Sequence, residues 1–132
     1  MRLCQKIDHP NLGIVFTGVH RYGGEPGNPA PLLRRLMPYL RQLNLSGSTH
    51  SPLDWSRTMT IEALDMGTCD NLAIVSILTR LGYTVHFGFV RWDDSGNPYH
   101  KLKRSYDALV QMIDVAERHP GWFDHLLPPQ TA

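Results

Sequence analysis

The chain has 132 residues, 42% of them hydrophobic and 19% charged, with a formal net charge of +1. That length suits one domain, residues 1–132, with its own core, and the balance excludes a disordered chain. The near-neutral charge gives no long-range pull toward nucleic acid or an anionic membrane, and two cysteines are too few for a disulfide framework.

Leu12 to Thr17 reads as a short buried strand, apolar and β-branched. Val19 to Pro31 is a loop, punctuated by Gly23-Gly24, Pro26-Gly27 and Asn28-Pro29. Pro31 to Leu43 reads as a helix with the stripe Leu33, Leu36, Met37, Leu40 and Leu43, kinked at Pro38, which lacks an amide proton. Asn44 to Arg57 is polar loop, and Met59 to Leu64 fits either a short strand or a helical turn. Thr68 to Leu81 carries the strongest helical pattern, with Thr68 as the N-terminal cap and Gly82 as the left-handed exit. Val85 to Trp92 and Tyr99 to Arg104 read as two strands of a hairpin around Asp93 to Asn97. Tyr106 to Arg118 is a helix, and an irregular proline-rich tail follows from Pro120. The expected fold is therefore α+β: about three helices on a small, mostly antiparallel sheet that contains the hairpin Val85 to Arg104.

Cys69 and His100 are the residues on which chemistry can be built. A thirteen-residue helix is roughly 20 Å long, and a strand covers that distance in about six residues. A strand running back from Thr84 is then level with Cys69 near Phe89. The hairpin register that keeps Phe87 and Phe89 away from Lys101 and Lys103 sets His100 beside Phe89. A thiol at a helix N-terminus, next to an imidazole, is biased toward the thiolate.

The run Gly67-x-Cys69-Asp70-Asn71-x-Ala73, then Leu78-x-Arg80-x-Gly82, a strand and a histidine, resembles the core of transglutaminase-like, papain-related thiol enzymes. The resemblance covers Gly67 to His100. It implies Cys69 as nucleophile and His100 as base, acting on an amide or ester through a thioester. The family's third member is an aspartate after the histidine; by spacing that is Asp114, within the last predicted helix. The expected function is a small thiol hydrolase or acyltransferase needing no cofactor.

Other side chains suggest binding. His20 and Arg21 follow the first strand, where ligand loops sit. Lys101 and Lys103, with Trp92 nearby, form a basic and aromatic hairpin face. These support an alternative, a non-catalytic binding or inhibitor module, as in an accessory or mobile-element protein, that occludes a partner. A protein or peptide partner is favoured over nucleic acid. The seven histidines show no zinc-site spacing, so no metal is expected. The N-terminus has no secretory apolar run and no segment spans a bilayer, so a cytoplasmic protein without a membrane partner is expected.

Overall fold

A computed structural model describes residues 1–19, 27–49, 60–90 and 96–127. The order of its elements is α1 (Arg2–Ile7), β1 (Ile14–Thr17), α2 (Ala30–Leu36), β2 (Leu40–Leu45), α3 (Asn71–Arg80), β3 (His86–Phe89) and α4 (Pro98–Arg118). Short 3-10 turns cover Met37–Tyr39 and Asp124–Leu126.

The three strands lie in the order β1-β2-β3, and both pairings are parallel. Each strand therefore reaches the next through a crossover that carries a helix, the βαβ arrangement. This corrects the expected fold: the sheet is parallel and holds no hairpin from Val85 to Arg104.

Two local causes explain the correction. Pro38 does more than kink the second element. It ends α2 in a 3-10 turn, after which Leu40–Leu45 continues as β2. Leu40 and Leu43 thus belong to a strand, not to the stripe of a long helix. The second cause lies at Pro98, which opens α4 at its first turn, while the Asn97 side chain accepts a hydrogen bond from the Tyr99 amide at 3.0 Å. Residues 99–104, expected as a strand, form the first turns of a 21-residue helix.

Strand alternation sorts the sheet into two faces. Phe16 pairs with Leu43 and Leu43 with Phe87, while Leu45 pairs with Phe89. This set joins the core with Leu33 of α2, Ile74, Ile77 and Leu78 of α3, and Ala108 and Leu109 of α4. The opposite face carries Val15, Gln42 and His86 in one row and Thr17, Asn44 and Gly88 in the next. Val15 and His86 are exposed there, and Gln42 Nε2 donates to Asn44 Oδ1 at 2.6 Å.

The exit of α3 matches expectation. Gly82 has φ +79°, and the Tyr83 amide donates to Leu78 O at 2.9 Å, closing the helix end. Its start differs. Asp70, not Thr68, caps the helix by accepting from the Ala73 amide at 2.9 Å.

Candidate functional site at the carboxyl ends of the strands

In parallel α/β sheets the loops that leave the carboxyl ends of the strands form the ligand-binding face. Here β2 runs out into Ser46 to Thr49, and the segment Thr60 to Gly67 folds back against it. Gly47 and Glu62 exchange backbone hydrogen bonds, at 3.2 and 2.8 Å. The approach demands glycine, because a Cβ at Gly47 would lie 1.9 Å from Ala63 O. Ser48 O accepts from the amides of Thr68 (2.7 Å) and Cys69 (3.3 Å), which fastens the start of α3 to the same strand end. Buried Asn71 completes the tie: its Nδ2 donates to Ser46 O at 2.9 Å and to Leu64 O at 3.2 Å.

These ties aim Glu62. Its carboxylate accepts from Thr60 Oγ1 at 2.6 Å and from Thr49 Oγ1 at 3.2 Å. The Thr49 amide in turn donates to Thr60 Oγ1 at 2.9 Å. Gly67, at φ +83°, leaves space for the group, since a Cβ there would come within 2.9 Å of Glu62 Oε2.

The facing wall is the start of α4, which follows β3. The buried Leu64 amide donates to Ser105 Oγ at 3.2 Å. The Arg104 guanidinium forks onto Asp65 with contacts of 2.8–3.0 Å. Through that hydrogen bonding it holds the Asp65 carboxyl below its ordinary value, against a smaller opposing effect of burial. Between the walls is a cavity of about 330 Å³. Glu62 and His100 line it, with Lys101 beside them and Met66, Phe89 and Leu102 as apolar surface.

The expected site residues fall as follows. His100 lies on the first turn of α4, not on a strand, and lines this cavity. Cys69 is not among the cavity's lining residues; it sits half-buried just before α3. Burial pushes its thiol up to about 11; the neighbouring Ser48 side chain draws it the other way, and the Glu62 charge adds to the rise. The helix-end field expected to favour the thiolate is outweighed by desolvation. Asp114 is on α4, ion-paired with Arg118 one turn further on. Lys101 and Lys103 are on the same helix, and Lys103 Nζ meets Asp107 at 2.6 Å. His20, Arg21 and Trp92 lie outside the described residues. Reading residues by sequence motif missed Glu62. The signal that could have found it was Thr60-x-Glu62 in the loop after an apolar strand, had Leu40 to Leu45 been read as that strand.

Among the described residues no group of three or more His, Cys, Asp or Glu side chains is gathered to hold a metal ion. Among the same residues no helix is long and apolar enough to cross a membrane.

Consecutive parallel βα units with polar loops at the strands' carboxyl ends define the class: a segment of a parallel α/β barrel. Solved structures share it. A xylose isomerase domain protein from Planctomyces limnophilus aligns with 89% of this chain and 41% of its own, at 20% identity and a TM-score of 0.67. A structure of L-ribulose 3-epimerase aligns with 99% of this chain and 44% of its own, at 13% identity and a TM-score of 0.68. The probable 3-DHS dehydratase AsbF, involved in petrobactin synthesis in Bacillus anthracis, aligns at 18% identity and a TM-score of 0.52. It covers 88% of this chain and 42% of its own. No family model and no curated protein sequence matches the chain. Identities this low establish the fold alone, and the chain spans less than half the length of these structures.

The likeness overturns the transglutaminase-like resemblance and the thiol hydrolase or acyltransferase expected from it. Three physical findings agree: the sheet is parallel, the histidine is helical, and the thiol is held protonated. The alternative of a non-catalytic binding or inhibitor module is set aside with it, since the structures sharing this fold are sugar isomerase, epimerase and dehydratase proteins.

Proposed function

We propose that the chain contributes a proton-transfer site for a small polyhydroxylated substrate, in the manner of a sugar isomerase or epimerase. The observation that carries this reading is Glu62 and His100 lining one cavity at the carboxyl ends of parallel strands. A carboxylate fixed by two threonine hydroxyls suits a general base, because its lone pairs are oriented before substrate arrives. An imidazole across the same cavity can return a proton to the substrate oxygen as charge develops there. Phe89, Met66 and Leu102 give the C–H face of a sugar ring an apolar surface to lie on. The printed activities of the structures sharing the fold support the same substrate class.

The test is carbon-bound proton exchange. The chain is incubated in deuterated water with a panel of ketopentoses and ketohexoses, and loss of the proton next to the carbonyl is followed by NMR. Exchange should occur with at least one sugar, and Glu62→Gln should slow it by about 10²-fold or more. Cys69→Ser should leave it intact. Absence of exchange across the panel, or exchange indifferent to Glu62→Gln, overturns the reading.

A further inference from the structure

Helix α4 carries two apolar faces, and only one is used. Ser105, Ala108, Leu109 and Ala116 are buried, and α4 packs along α3. About a third of a turn round the helix, Tyr99, Leu102, Tyr106 and Val110 follow at spacings of three, four and four. They are 68%, 44%, 59% and 47% exposed. Single exposed apolar residues are ordinary, but four in one continuous stripe are a docking surface. The stripe also borders a cavity of about 470 Å³, walled by Phe89, Tyr99, Leu102, Lys103 and Tyr106.

We propose that this stripe docks on the same stripe of a second copy of the chain, the two α4 helices running antiparallel about a twofold axis near residue 104. The stripe is complementary to itself in that orientation. Tyr99 comes over the second copy's Val110 and Leu102 over the second copy's Tyr106, so a large ring meets a smaller group at each level. The charges agree as well. Lys103 and Asp107 lie on the flank of the stripe, paired within one helix at 2.6 Å. They are placed symmetrically about the same axis, so each Lys103 also faces the second copy's Asp107. An isologous interface of this kind closes at two copies. Leu102 and Phe89 line both this cavity and the one beside Glu62, so the second copy would border the candidate site.

The experiment is sedimentation equilibrium on the full chain between about 1 and 100 µM, a range that brackets weak and standard dimers. The expected mass is about 30 kDa, twice the 15.0 kDa of one chain. Tyr106→Glu should return it to one chain's mass with helix content by circular dichroism unchanged. Val110→Gln, at the other end of the stripe, serves if the first variant does not fold. Lys103→Glu should weaken association roughly tenfold, and adding Asp107→Lys should restore much of it. A single-chain mass at every concentration overturns the proposal and leaves the stripe to a neighbouring βα unit of another polypeptide. A dimer indifferent to Tyr106→Glu or Val110→Gln overturns it too.

Discussion

Cys69 shows how a local rule can be reversed by its surroundings. A helix start lowers a thiol's pKa when the sulfur meets solvent or a cation. Here the group is half-buried with the Glu62 carboxylate nearby, and its pKa rises from the ordinary 9.0 to about 11. Alkylation by iodoacetamide should accordingly be slow at pH 7. Its rate should climb about tenfold per pH unit below the pKa, as the thiolate fraction does. The sign for stability follows. An unfolded chain releases this proton near 9, before the folded one does, so between pH 9 and 11 the unfolded state binds fewer protons. Stability from this group is intact below pH 9 and falls as pH rises toward 11. Half-exposure makes the slope shallow. A fast, pH-independent reaction at neutral pH would contradict this account. Glu62 is the opposite case, an unremarkable residue in the sequence made distinctive by two threonines and two glycines that aim it.

Among the elements, α4 departs furthest from the sequence reading. Tyr99 to Arg104 has the aromatic and alternating look of a strand, yet Asn97 and Pro98 start a helix directly before it. The Asn97 side chain satisfies an amide that the first turn leaves open. Asn97→Ala should destabilise the protein by about 1 kcal/mol, read from chemical denaturation, with a larger loss of amide protection in the first turn of α4 than in its last. An unchanged midpoint would mean that Pro98 and the Arg104–Asp65 fork set the helix start without the cap. Leu40–Leu45 is the converse error. Its leucines continue the spacing of the preceding helix, so periodicity alone extends that helix through Pro38, where the backbone ends it.

For the molecule as a whole, the parallel sheet puts the central strand under the greatest constraint. β2 is hydrogen-bonded on both sides, and Leu43 and Leu45 are fully buried beneath α3. Amide hydrogen exchange should be slowest in Leu43 to Leu45 and in the middle of α3, and distinctly faster in β1. Equal protection across the three strands would show that the β1 edge is covered in solution. The sheet's second face, with exposed Val15 and His86, is unlike most parallel sheets, which are covered on both sides. The same fold spans more than twice this length in the structures that share it.

By itself the sequence determined β1, the helix ending at Gly82 and the last helix from Tyr106 onward, because each rests on neighbours within a few residues: apolar runs, a glycine free to take positive φ, a three-and-four stripe. Tertiary structure alone decided that the strands run parallel, that His100 rides a helix and that Glu62 rather than Cys69 faces the cavity. Those outcomes depend on which distant segment supplies a hydrogen-bonding edge or an apolar cover, and short-range patterns such as Leu40 to Leu45 and Tyr99 to Arg104 suit more than one of them.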